Sequence, residues 1–178
     1  RLYGLRAYFG DATRPDMLEA AGIRSAKMLI VTIDDREKAT QLVAYVKEHF
    51  PRVHVIARAR DRHHVYELFN AGCRDIIRET FDSSVRMGRS ALEAMGVSHA
   101  DATDMADGFV DDDSARLIVM APVFAEVKGD PMDPRYLDKT KALIALQDQV
   151  FAQNGPSFGL MRARMKDAGD DVDEIIRL

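Results

Sequence analysis

The sequence predicts an α/β fold, a Rossmann-like parallel sheet wrapped by helices and followed by an all-helical extension. Three observations lead there. Between residues 5 and 95, short apolar runs of strand length alternate with stretches of helical period, the pattern of strands joined by helices. One run, "KMLIVTI" at 27–33, is mostly apolar without alternation, as expected of a strand covered on both faces. Beyond Gly96 the strand signals stop and only helical periods remain.

The elements follow in chain order. Residues 6–9 read as a short strand; Thr13 is placed to N-cap a helix opened by Asp16, Met17 and Leu18, and Gly22 to close it in the left-handed conformation. The 27–33 strand ends at Asp34 and Asp35. A helix then runs toward Phe50 with Ala39, Leu42, Val43, Val46 and Phe50 on one stripe, and Pro51 stops it. The run "VHVIA" at 53–57 is the next strand, with Arg58 and Arg60 at its carboxyl end. Val65, Leu68 and Phe69 face inward from the following helix, which Gly72 ends. Residues 75–77 form the last strand, leading into a Thr80-capped helix whose seam is Phe81, Val85, Gly88, Leu92 and Met95. Four strands and four helices thus alternate. In the dinucleotide-binding order 3-2-1-4-5-6 they would be strands 3 to 6, so the N-terminal strands are expected to precede Arg1. No G-x-G-x-x-G phosphate loop occurs in the 178 residues.

Residues 100–128 read as a helix pair or bent helix interrupted by Gly108 and Pro122, and 133–154 as an amphipathic helix using Leu137, Ile144, Val150 and Phe151. Six Asp and no Lys or Arg lie within 101–113, and solvation is the default for such a run. The tail swings from "MRARMK" to "DAGDDVDE", a solvated or partner-facing end. The expected division is a partial Rossmann-like unit with its dimerisation helix at 1–96, a helical extension at 97–155 and a charged tail at 156–178.

Composition removes several function classes. With a net charge of −4 and pI near 5.7, the chain lacks the basic footprint of a nucleic-acid binder. The single Cys73 excludes an internal disulfide and fits a reducing, cytoplasmic setting. The longest mainly apolar run, 117–125, is far short of the ~20 residues of a membrane helix. A start at Arg1 without a signal pattern reads as a fragment of a longer chain, with room for a membrane segment elsewhere.

Three clusters carry possible chemistry. Asp11 and Thr13 emerge in a turn at the carboxyl edge of the sheet, where α/β folds bind ligands, or serve only as helix cap and dipole partner. Asp34 and Asp35 leave a strand at the same edge; a ribose contact or a helix cap suits them better than a Mg²⁺-dependent phosphoacceptor site, because the next strand ends in "RARD" without the required lysine. Arg58, Arg60 and Arg78 close two successive strands and form either an anion site or ion pairs with Asp34, Asp35, Asp61 or Glu79. His63 and His64 are adjacent and share no helix face, so they are poor joint ligands. Cys73 at a strand start reads as buried rather than nucleophilic. No catalytic constellation and no metal site emerge, which favours a binding module over an enzyme.

Taken together, "YFGDATRPDMLEAAGI", "IDD", "VKEHFPRVHVIARARD" and "RETFDSSVRMGRSALEAMG" resemble the cytosolic regulatory domain of bacterial Kef-type potassium/proton antiporters, of the Trk-N or RCK class. The resemblance spans residues 2–95 and continues more weakly to about 125. It implies a domain at the cytoplasmic face of the bacterial inner membrane, attached to a transmembrane antiporter portion and controlling potassium efflux in response to ligands. It implies that Asp11, Ala12 and Thr13 lie by the adenine of a bound nucleotide, AMP or NAD(H), with Ile33, Asp34 and Arg58 at the same pocket. The phosphate-binding glycines have no counterpart, so nucleotide binding is expected of the parent domain more than of this chain alone.

The resemblance further implies a homodimer through the helix bearing Phe81, Val85, Gly88, Leu92 and Met95. Packing within one chain is the alternative use of that seam. Arg78 in "RETF" matches an arginine that helps hold glutathione or its conjugates in responsive members. Those members continue with an aromatic and basic run ending in asparagine, where this chain has "GFVDDD" after Ala106 and Asp107. Two readings follow: glutathione is still sensed, or Arg78 serves a different ligand. The competing functions are a Trk-type potassium-uptake regulator and a nicotinamide-dependent oxidoreductase.

Overall fold

The computed structural model describes residues 9–154 and 159–170. After a turn, helix α1 (Pro15–Ala21) ends at Gly22, whose φ of 92° supplies the left-handed cap. Three parallel strands follow, β1 (Met28–Val31), β2 (His54–Ala59) and β3 (Asp75–Arg78), hydrogen-bonded in the order β1-β2-β3. Helix α2 (Arg36–His49) joins the first two strands and α3 (Arg62–Asn70) the second pair. The strand expected at 6–9 lies outside the described residues except for Phe9.

Strand alternation decides what each face of the sheet meets. Val55, Ala57, Ala59 and Ile76 are buried together with Val31, in register with Ala57. Ile30, Met28 and Ile77 on the opposite face stay exposed at 62%, 48% and 49%. One face therefore carries the core, under α2 and α3, whose Ala39, Leu42, Val43, Val46, Val65, Leu68 and Phe69 are all buried. Arg36 on α2 forks onto Glu67 of α3 at 2.7 and 2.5 Å and ties the two helices. Phe50, expected on the buried stripe of α2, is half-buried just beyond that helix.

The helical part begins with α4 (Phe81–Ala94), which has no buried residue, and continues as α5 (His99–Glu126), packed on both α3 and α4. Neither Gly108 nor Pro122 interrupts α5, against expectation. Gly108 is where the chain crosses itself: a Cβ on Gly159 would sit 3.5 Å from the Gly108 Cα. Pro122 removes one hydrogen-bond donor yet stays within a helix anchored by buried Leu117, Ile118, Met120, Ala121 and Phe124.

Helix α6 (Pro134–Asn154) buries Leu143 and Val150, whereas Ile144, assigned inward from sequence, is 49% exposed. The last described helix, α7 (Met161–Asp167), buries Met161 and Met165 in the same core.

The acidic run departs most from its expected solvation. Asp101, Asp104, Asp107 and Asp111 face solvent, but Asp112 and Asp113 are only 3% and 4% exposed. Asp112 accepts the Gly159 and Met161 amides at 3.0 and 2.9 Å, fixing the start of α7 to the middle of α5. Burial raises its carboxyl pKa against those two hydrogen bonds.

Candidate functional site

Two places gather the residues singled out from sequence. The first is the carboxyl edge of the sheet at Ile33, Asp34 and Arg58, to which the Asp11–Thr13 turn before α1 is linked through the charge of Lys38 in the first turn of α2. Asp11 accepts the backbone amide and the hydroxyl of Thr13 at 2.9 and 2.7 Å, and these bonds hold its carboxyl below the ordinary range, aided by the charge of Lys38. Thr13 is thus not the cap of α1. Its hydroxyl is committed to Asp11, the cap position falls on Arg14, and Pro15 at the first helical position has no amide to satisfy. Ala12 is exposed at the crest of this turn.

Beyond β1, half-buried Ile33 leads to Asp34, which Arg58 holds at 2.5 Å while also donating to the Thr32 carbonyl at 3.0 Å and to Glu79 at 3.4 Å. Arg60 reaches the Asp34 carbonyl at 3.4 Å. Asp35 caps α2 by accepting the Lys38 amide at 3.1 Å. Ile33, Asp34 and Arg58 therefore share one corner, with Arg58 in the ion pairs that were its alternative role.

Arg78 is not part of that corner. It pairs across the sheet with Ala59, one residue beyond Arg58, so the pleat turns the two arginines to opposite faces. A single anion site made of Arg58, Arg60 and Arg78 is excluded by this alternation.

The second place is a groove of about 550 Å³ between α4 and α5. Phe81, Val85, Gly88 and Leu92 line one wall; Met105 and Phe109 line the other. Phe81 and Phe109 stack with ring centres 6.2 Å apart. Met95, the last residue of the expected seam, falls outside the groove and is 82% exposed, because α4 ends one residue earlier. Thr80 makes no side-chain cap; with ψ at 0° its hydroxyl does not meet the α4 amides, and its carbonyl instead accepts from Ser83 and Ser84.

At the groove floor Arg78 lies flat on Phe81, its guanidinium carbon 3.4 Å from the ring centre, and donates to Asp113. The other Asp113 oxygen takes Arg62, from the first turn of α3. Burial pulls the Arg78 pKa down while Asp113 opposes it; at more exposed Arg62 burial acts the same way, but Asp113 together with Tyr66 prevails and the pKa rises. With Arg89 also on the rim, three guanidinium groups meet one carboxylate, leaving the groove positive between apolar walls. Arg62 and Arg89 were not singled out from sequence, and Asp113 only as part of the "GFVDDD" run that replaces the basic segment. An Asp at the end of an acidic run carries no local mark of facing inward, and Arg62 lies 51 positions from its partner.

This is a Rossmann-like parallel sheet carrying a helical appendage, the class of the TrkA-N domains, whose family matches residues 1–79. The family described as Potassium efflux system KefB C-terminal domain matches residues 83–169. The chain belongs to the Kef C-terminal domains. It superposes on a solved structure of Shewanella denitrificans, described as the Kef CTD in AMP bound form, with a TM-score of 0.62 and 40% identity over 65% of this chain and 73% of that one.

Among curated relatives, Glutathione-regulated potassium-efflux system protein KefC of Salmonella arizonae is 35% identical over 98% of this chain. The protein of the same name from Cronobacter sakazakii is 46% identical over 61%. The chain spans 28% and 18% of their respective lengths.

Proposed function

We propose that this chain is a regulatory domain of a potassium-efflux system, acting by ligand binding and not by catalysis, at the cytoplasmic face of a membrane antiporter in the same polypeptide. The observation that carries this reading is the α4/α5 groove, where a positively charged floor of buried Arg78 and partly exposed Arg62 underlies apolar walls. Such a site suits an anion with an apolar substituent, because the guanidinium groups orient the anion and the walls desolvate the rest. Glutathione S-conjugates have that chemistry, and the names of the KefC relatives support the choice. Asp113 does not repel such a ligand outright, since both its oxygens are engaged by arginines.

The apolar stripe of Phe81, Val85, Gly88 and Leu92 serves a two-fold contact with a second copy, and Met95 extends it. In the parent domain an adenine nucleotide, AMP or NAD(H), docks at the sheet edge by Asp11, Ala12, Thr13, Ile33, Asp34 and Arg58; the AMP bound form of the Shewanella structure supports nucleotide binding as such. Ligand occupancy biases the antiporter only if the ligand binds two states of the domain with different affinity. Calorimetric titration with an aromatic S-conjugate of glutathione tests the groove. Saturable binding that weakens with salt and disappears in a folded Arg78→Ala variant is expected; no binding, or binding indifferent to Arg78, refutes the assignment.

A further inference from the structure

Behind the groove lies a second cavity, of about 200 Å³, between α3, α5 and α6. Its polar lining is Arg62, Arg116, Tyr66, Tyr136 and Thr140; Met120, Leu143 and Ile144 supply an apolar side. Arg116 is half-buried and donates to the Gln147 side-chain oxygen at 2.5 Å, a neutral acceptor. Among the described residues it has no carboxylate within ion-pair distance. Burial, and next the charge of Arg62, lower its hold on its proton, while Asp112 and Asp113 act on it only at longer range. A cationic group in such a setting gains from a bound anion more than a solvated one does.

The surrounding hydroxyls favour the same ligand. Tyr66 is 1% exposed, and burial raises its phenol pKa far above the ordinary value, so it stays uncharged, its hydroxyl engaged with Arg62 and Tyr136, and sets no negative charge against an anion. Thr140 spends its hydroxyl proton on the Tyr136 carbonyl at 2.9 Å and adds no competing donor. The cavity is below the 300 Å³ or so of a drug-sized pocket, which limits the occupant to a fragment. Inorganic oxyanions would leave the Met120, Leu143 and Ile144 side unused.

We propose that this cavity is a binding site for a small monocarboxylate, its carboxylate between Arg62 and Arg116 and its short alkyl part against Met120, Leu143 and Ile144. The site is distinct from the α4/α5 groove, although Arg62 lines both. Its existence does not depend on what the groove binds.

Titration of the 178-residue chain with butyrate, and separately with sulfate, followed by amide and arginine side-chain NMR shifts, tests the site. Butyrate should give saturable shifts centred on Arg116, Met120 and Leu143, with a dissociation constant on the order of 1 mM or weaker for so small a ligand. Arg116→Gln should weaken it at least about tenfold, the order of one lost charge-assisted contact. Ile144→Phe, at an exposed rim position, should block it while keeping both arginines, and Arg89→Gln, in the groove, should leave it unchanged. Absence of saturable shifts in the parent chain, shifts that survive Arg116→Gln, or sulfate binding as tight as butyrate would each overturn the assignment.

Discussion

Arg78 at the end of β3 and Asp113 in the middle of α5, 35 positions apart, form an ion pair in which the arginine is 10% and the aspartate 4% exposed. The same carboxylate holds Arg62, so its removal leaves two guanidinium groups facing each other. Asp113→Asn should therefore destabilise the fold by about 2 kcal/mol, below the range for a wholly buried pair because Arg62 is 39% exposed. The same change makes the groove more positive and should tighten binding of an anionic probe. Denaturant unfolding beside calorimetry checks the opposite signs; a fall in both stability and affinity would show that Asp113 mainly shapes the groove.

Gly88 has nothing within 4 Å of where its Cβ would be, although it lies in the middle of α4. Gly88→Leu should raise the stability of a single chain by up to about 1 kcal/mol through helix propensity. If α4 faces a second copy, the added side chain should also weaken self-association. Sedimentation equilibrium of both proteins gives the answer, and an unchanged oligomeric state would remove α4 from the interface.

His64 makes stability depend on pH. It is fully buried, with Nδ1 accepting the Arg60 amide at 3.2 Å, and burial lowers its pKa from 6.5, countered by Glu67 and Asp61 and reinforced by Arg36 and Arg60. The folded state thus prefers neutral imidazole, while the unfolded chain takes up a proton near 6.5. Stability from this residue is complete above that value and lost as pH falls through the lower folded pKa. The melting temperature should drop more steeply between about pH 6.5 and 5 than in His64→Gln, and parallel curves would refute the linkage.

Cys73 is 1% exposed, its thiol set against the Val55 and Asp75 carbonyls at 3.4 and 3.3 Å, and burial pushes its pKa up. Alkylation by a maleimide should be slow in the folded chain and fast in denaturant. Rapid modification without unfolding would contradict this packing and give the domain a direct response to electrophiles.

The alternating sheet was legible in the sequence because apolar period and Gly or Pro punctuation are local signals. "KMLIVTI" and "VHVIA" overlap β1 and β2, and Ala39, Leu42, Val43 and Val46 face inward as their spacing requires. The helical part was harder to read. Gly108 resembled a break, but its missing side chain serves a crossing with Gly159, fifty-one positions on in the chain. Asp112 and Asp113 resembled surface acids, but their partners are amides at 159 and 161 and arginines at 62 and 78. Ile144 and Leu143 are neighbours of equal hydrophobicity, and only the placement of α5 decides which is buried. Arg78 was visible by its motif. Its carboxylate partner came into view only with the fold.

The opposite orientation of Arg58 and Arg78 makes the sheet a partition. A ligand touching Arg58 and one touching Arg78 are separated by the thickness of a β-layer, so neither displaces the other or meets its charge directly. What connects the two compartments is covalent chain and ladder, notably the Glu79 amide on the Ala59 carbonyl at 3.0 Å. Glu79 itself reaches Arg58, so a shift of the last residues of β3 is felt on both sides of the wall at once.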